Sequence, residues 1–513
     1  MIKKIQQDFS YYSHEFKDNY RKGVHRLRTI LASRAQAQAF VSNAGGVAVV
    51  LGYEPETPDK NAQELYALLA ASPYIDDAVQ TFLGSIYEGA ESQDAMYSDS
   101  ARCLEILHDP VMARAAGAGA VSAGKWIATL AGQSCNLYRD MNAVAASDIA
   151  MTAVAASETA MAAVVSNATA LNAVVTSQVA LNAVAASETA MAAVIGNVTA
   201  LNAVVTSQAA MNTVAASETA MTAVIANSTA LNAVVTSHVA MNAVASSYVA
   251  VAAVYESAVA VEAVKANETA WATLTGASSA VMGKAAAKLA GLNPADYADM
   301  AAIASSSTAM AAVASSQTAM TAIIGNSTAL NAVVSSSTAM AAIASSQTAM
   351  AAIEKSQVAK DAIAASDMAT AKYAVGAAGL NPADYANMAA VAASQTAMAA
   401  IASSSTAMAA IAASSTALSA IAASTTALDA IYAKKKRMSG ASASLSGKFI
   451  ILQISNDNAF DTSRYGYATL SDGSKPKWDS YKDKYAYFKQ YKKIATYMKN
   501  DTDSDDWIDY FQC

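Results

Sequence analysis

The side chains of this sequence that could do chemistry are few and stand apart. The four histidines, His14, His25, His108 and His238, lack motif partners, and Cys103, Cys135 and Cys513 form an odd, widely spaced set without a CxxC pair. Neither a zinc site nor a disulfide framework follows from such spacing. Asp501, Asp503 and Asp505 alternate like the carboxylates of a calcium loop, but Asp506 stands where that loop needs glycine and Gln512 where it needs glutamate. A solvated acidic turn is the simpler reading. No Walker loop, GxSxG elbow or HExxH helix occurs, and Gly45-Gly46 and residues 116–124 read as turns or close helix contacts. The expectation is a protein that is not an enzyme, with no catalytic residues, cofactor or metal.

A second group with chemical potential is aromatic and lies near the C-terminus: Tyr487, Tyr491, Tyr497, Trp507 and Tyr510. Tyrosine and tryptophan combine a large apolar area with a polar handle, which suits contact with a saccharide or protein receptor. Packing in the core of a small domain is the competing reading. Upstream, the run Lys434-Lys435-Lys436-Arg437 follows the last repeat, where cations complement a helix C-terminus.

Between these groups the chain is an array. Ser-x-Thr-Ala-(Met/Leu)-x-Ala-(Val/Ile)-x-x recurs every ten residues, with Met161, Leu171 and Met191 each followed three residues later by Val164, Val174 and Val194. A period of thirty overlays the ten, marked by Ser157-Glu158-Thr159, Ser187-Glu188-Thr189 and Ser217-Glu218-Thr219. Two near-identical spacers interrupt the array, Ala290–Tyr297 and Ala378–Tyr385. In each, glycine (Gly291, Gly379) suits the left-handed position after a helix, asparagine (Asn293, Asn381) suits a cap, and proline (Pro294, Pro382) suits the first position after that cap.

These features divide the chain into a mainly helical N-terminal attachment domain, 1–142, and a first shaft block, 143–275. A spacer with its joint, 276–299, precedes a second block, 300–369. The second joint, 370–387, leads to a third block, 388–437. An aromatic α+β domain, 438–513, ends the chain, with strands at Lys448–Ile454 and Tyr465–Leu470, a turn at Asp472-Gly473, and a helix over Trp478–Met498. The fold class expected is mainly α, an elongated fibrous homo-oligomer of ten-residue repeats.

The period of ten constrains shape. Ten residues of straight helix fall roughly 80° short of three full turns, so an ordinary heptad coiled coil does not fit. The repeats read as helix, continuous or kinked at each serine, with a compact ten-residue solenoid coil as the alternative. Met161, Val164, Leu171, Val174, Met191 and Val194 are the expected shaft core. One copy of so narrow a stripe buries little area at roughly 25 cal/mol per Å², so a parallel homo-oligomer is expected to cover it.

The composition is 54% hydrophobic, yet polar residues interrupt every few positions, which excludes a membrane-spanning run of roughly 20 apolar residues. A net charge of −7 argues against a nucleic-acid partner. The polar residues Gln6, Gln7, Asp8 and Ser10 stand where an export signal needs an apolar stretch.

The repeats at 157–164 and 336–343, with their Gly-Leu-Asn-Pro-Ala-Asp-Tyr joints, resemble the low-complexity repeats of tailed-bacteriophage tail fibres and related virion fibres. The resemblance implies a parallel homotrimer on the virion, assembled in the host cytoplasm. Its N-terminal domain would dock on tail or baseplate proteins, and its C-terminal tip would meet a glycan or protein of the host surface. A bacterial extracellular filament or adhesin is the alternative, and an internal tail ruler a second one.

Overall fold

A serine or asparagine in extended conformation separates each repeat from the next, and it decides the architecture. The computed structural model describes residues 12–16, 20–51, 60–439, 443–455, 465–470, 473–475, 477–479, 488–500 and 507–512. The chain divides into two units, 1–274 and 275–513. Both are built mainly from short helices, and the second also contains a sheet.

In the first unit, helices from Tyr20–Ala32 to Ala120–Leu130 enclose Leu27, Leu65, Leu83, Met96, Tyr97 and Trp126. The repeats follow. Ser157 has φ −103° and ψ 117°, and its hydroxyl accepts from the Ala160 N–H at 3.2 Å. That is the N-cap geometry serine favours, and it stops one helix as it starts the next. The helices are therefore only eight or nine residues long, as in Glu158–Val165 and Ala168–Thr176. Asp148–Ala156 meets Glu158–Val165 at 100°, Ala168–Thr176 meets Gln178–Ala185 at 96°, and Glu188–Ile195 meets Val198–Thr206 at 103°. Three such bends nearly close a ring, so a fourth helix returns over the first: Gln178–Ala185 packs on Asp148–Ala156 and His238–Ser246 on Gln208–Ala216. The period of thirty is this ring.

Each ring buries its own stripe. Met161 and Val164 are fully buried, and Leu171, Val174, Met191 and Val194 are at most 5% exposed, all within one chain. The fourth residue of the repeat, Ala160, Ala170, Ala180 and onward, is 0% exposed, because any larger side chain there would hold stacked helices apart. The burial expected from partner strands is thus supplied by the next ring, and the compact coil, not a continuous helix, is what the ten-residue period builds. No single described helix is long and apolar enough to cross a membrane.

The second unit repeats this construction from Ser279 to Tyr432 and ends in an antiparallel sheet: β1 (Lys436–Ser439), β2 (Ala443–Ser455), β3 (Tyr465–Leu470), β4 (Lys477–Asp479), β5 (Phe488–Asn500) and β6 (Trp507–Gln512), in the order β1-β6-β2-β5-β3-β4. One face of the sheet places Ile450, Leu452 and Phe511 in the same core as Ile421, Leu428 and Ile431 of the last repeats. The other gathers Phe449, Ile451, Met498, Ile508 and Tyr510.

Two sequence expectations fail here. Where a helix is expected over Trp478–Met498, β4 and β5 occupy the described residues, and no helix occurs among the described residues after Tyr432. From Phe449 on, β2 is buried and needs a backbone partner on each edge; β5 and β6 provide them, and Phe488, expected within the helix, starts β5. The described residues of the module form a sheet, without the expected helix. The basic run also does not simply neutralise a helix end, because Lys436 and Arg437 already belong to β1.

Candidate functional site

The residues singled out from the sequence fall at two kinds of place, the joints and the C-terminal sheet. At the joint after the first shaft block, helix Ser279–Leu289 ends with Gly291 at φ +72°, and the N–H groups of Leu292 and Gly291 donate to Ala287 O (2.8 Å) and Lys288 O (3.0 Å). This paired closure needs the left-handed residue that glycine supplies without strain. Asn293 accepts from the Ala295 N–H at 3.2 Å and donates to Asp296 at 3.1 Å, and Pro294 opens a 3-10 turn. The true cap of the following helix, Met300–Ser305, is Asp299, six residues after Asn293. The third block opens identically: Gly379 lies at φ +77°, Asn381 caps the turn begun by Pro382, and Asn387 caps Met388–Ala392.

The same joint occurs once more, unanticipated, in the first unit. Ala131-Gly132 follows helix Ala120–Leu130 with Gly132 at φ +75°, the Gln133 N–H donates to Ala128 O at 2.8 Å, Cys135–Leu137 forms the 3-10 turn, and Asp140 caps Met141–Ala145. Gln133-Ser134-Cys135-Asn136-Leu137 replaces Leu-Asn-Pro-Ala-Asp and hides the kinship. Its legible signal is the frame Ala-Gly, then tyrosine (Tyr138), then Asp140-Met141, which Ala290–Met300 shares. Two more residues recur. A Cβ on Gly124 would lie 2.3 Å from the Asp140 carbonyl carbon, and one on Gly283 2.2 Å from that of Asp299. Lys125 donates to Cys135 O at 3.2 Å, and Lys372, buried, donates to Pro382 O at 2.8 Å.

A hydroxyl ladder runs between these joints. Within the first unit, Ser177, Ser187, Ser237 and Ser247 donate to Ala145 O, Ala155 O, Val205 O and Ala215 O at 2.5–2.6 Å, each 32 residues earlier. Ser336, Ser346 and Ser424 do the same in the second unit. Across a joint the span shortens to 27 residues: Ser157 to Leu130 O, Ser316 to Leu289 O and Ser404 to Ala377 O. Each of these serines thus caps its own helix and donates to the ring before it.

On the sheet, Asp509 is fully buried and is held by Lys435 at 2.8 Å and by Arg437 through two bonds of 2.7 and 2.9 Å. Burial alone would raise its pKa, but hydrogen bonds from Arg437 and Lys435 and their charges hold it below the usual carboxylate value. The Arg437 guanidinium lies 3.6 Å from the Trp507 ring centroid, and the Lys435 ammonium 3.9 Å from that of Tyr432. The basic run therefore ties the last repeat to the sheet.

Of the aromatic candidates, Tyr510 is 6% exposed and packs edge-on against Phe449, which makes it core and not a contact surface. Trp507 and Tyr497 remain half-buried, Trp507 under Arg437 and Tyr497 beside Tyr467 at 5.5 Å. Tyr491 lies in β5, and Tyr487 lies outside the described residues, as do Asp501–Asp506. Among the described residues no cluster of three or more His, Cys, Asp or Glu side chains could hold a metal ion.

No protein-family model matches the chain, and no curated protein sequence matches it.

Proposed function

We propose that the chain is a structural fibre protein of a tailed-bacteriophage virion. Its N-terminal helices attach to tail or baseplate proteins, its repeats are a spacer, and its C-terminal sheet faces the host surface. The observation that carries this reading is the hydroxyl ladder: each ring is capped by its own serine and fastened to the ring before it, so the number of repeats sets the extent of the array. The buried stripe of Met161 and its equivalents needs no second copy, so any self-association, including the trimer the resemblance implies, uses other side chains. Of the aromatic candidates, Trp507 and Tyr497 are those whose described side chains keep exposed area for a receptor.

The test is peptide mass spectrometry of purified phage particles, with adsorption assayed after adding antibody raised against residues 438–513. Peptides of the chain in the particle and blocked adsorption are expected. Its recovery on bacterial surfaces and not in particles would sink the proposal and favour the filament or adhesin. Light scattering of the purified chain separates one copy from three.

A further inference from the structure

One stretch of the array breaks its own pattern at three core positions. Ala344, four residues after Met340, is buried, and its counterpart in the next repeat is Glu354. Met340 itself is fully buried, but twenty residues on the same position holds Lys360. Ile343, Ile353 and Ile363 are buried, and the next residue of that series is Tyr373. A charged group in a packed stripe is costly unless something compensates it. The three replacements come together around one cleft of about 100 Å³, whose apolar wall includes Ile353, Ile363, Ala409, Ala410 and Ala413. The Tyr373 hydroxyl donates to Glu354 Oε1 at 2.5 Å, which holds the carboxylate at the cleft. Burial and the Glu354 carboxylate push the Tyr373 pKa up, so the hydroxyl remains a donor. Among the described residues, Glu354 Oε2 and the Lys360 ammonium have no hydrogen-bond or ion-pair partner. Glu354 also lines a wider groove of about 730 Å³, with Gln347, Asn381 and Thr406 among its polar residues and Met350 and Leu380 among its apolar ones.

We propose that cleft and groove together bind an N-acetylhexosamine residue of a glycan, with the acetamido group in the cleft and the sugar ring in the groove. Size and polarity both select this group. An apolar cavity of about 150 Å³ accepts benzene, so one of about 100 Å³ accepts roughly four heavy atoms, the number in an acetamido group. The methyl meets the isoleucine and alanine wall, the Lys360 ammonium donates to the carbonyl oxygen, and the amide N–H donates to Glu354 Oε2. A free carboxylate would meet the like charge of Glu354, and a free amine that of Lys360. A bare hydroxyl would leave the apolar wall unused. A neutral group that donates, accepts and carries a methyl uses all three features. In the groove, Gln347, Asn381 and Thr406 offer hydrogen bonds to ring hydroxyls, while Met350 and Leu380 cover the C–H surface of the ring. Such a site serves an adhesin as well as a virion fibre, so it stands or falls apart from the role proposed above.

The test is saturation-transfer NMR with calorimetry on the full chain. The probes are the methyl glycosides of N-acetylglucosamine and N-acetylgalactosamine, and the controls are those of glucose, galactose and glucosamine. At least one acetylated sugar should bind, with its acetyl methyl the most strongly saturated group, and the controls should bind at least about tenfold more weakly. Lys360→Met and Glu354→Ala put back the residues that other repeats carry, so both variants should melt no lower than the unaltered chain and yet bind at least about tenfold more weakly. Ala410→Leu, which fills the apolar end of the cleft and leaves both charges, should also weaken binding. Absence of binding by both acetylated sugars overturns the proposal. So does a control that binds as tightly as they do, or full binding by folded Lys360→Met or Glu354→Ala.

Discussion

An ordinary repeat and a joint use the same chemistry to different ends. In both, a short polar side chain caps a helix that carries a buried methionine: Ser187 four residues before Met191 in a repeat, Asp299 directly before Met300 in a joint. The repeat reaches back 32 residues with its hydroxyl, while the second repeat serine after a joint reaches back only 27. The joint differs because an eleven-residue helix, a left-handed glycine and a 3-10 turn replace part of a ring, and the helix after its cap is only five or six residues long. A ring tolerates substitution wherever its positions face solvent. A joint brings backbone against backbone and tolerates little.

The strongest way to break that contrast is to put a side chain where the joint has none. Gly283→Val would drive Cβ to within 2.2 Å of the Asp299 carbonyl carbon, and it should cost about 3 kcal/mol or more in denaturant unfolding of the second unit. Gly196→Ala, in a repeat at φ −70°, should change stability by less than about 0.5 kcal/mol. Equal effects at the two sites would end the distinction.

Next in size is the repeat core. Met161→Ala removes a fully buried side chain and should cost about 3 kcal/mol, read from the shift in thermal or denaturant midpoint. The loss should appear at low protein concentration, since the stripe is covered within the chain. A loss that vanished on dilution, where any oligomer had already dissociated, would restore the partner-strand picture.

The junction of the last repeat with the sheet is a third, smaller target. Asp509→Asn leaves Lys435 and Arg437 without their carboxylate and should cost about 2 kcal/mol at pH 7, because both cations keep access to water. The folded-state pKa of Asp509 is depressed, so its contribution is complete above the unfolded value of about 3.9 and fades as pH falls through the folded value. The difference between wild type and variant, followed by chemical denaturation, should therefore be flat from pH 7 to about 5 and shrink below about 4.

The ladder gives the smallest effect and the finest test. Ser217→Ala loses both the cap and the bond to Ala185 O and should cost about 1.5 kcal/mol. Ser217→Asn keeps the cap, as Asn227 does in its own repeat, and should recover about half of that. If asparagine behaved like alanine, the ladder bond rather than the cap would be what holds the ring.

Much of this was legible in order along the chain. The spacing of Ser157, Met161 and Val164 shows a cap, a core residue and its neighbour one turn on, and the triplets at 157, 187 and 217 show a period of thirty, though not that it closes a ring. The glycine and asparagine of the joints are equally direct, since backbone conformation at a single residue is a local property. The first joint was not legible, because Cys135 and its neighbours keep the turn without keeping the sequence. Nor was β5, whose aromatic spacing satisfies a helix until β2 demands a second partner.

The sequence by itself determined where each helix starts and stops, because a cap is a contract between residues three apart. Only the tertiary structure decided that the stripe is covered by its own chain. The bend of about 100° at each serine is set by one residue's φ and ψ, but its sum over three repeats is a property of the ring. Burial at Met161 depends on that sum, on helices thirty residues away, and so on nothing that a single repeat can announce.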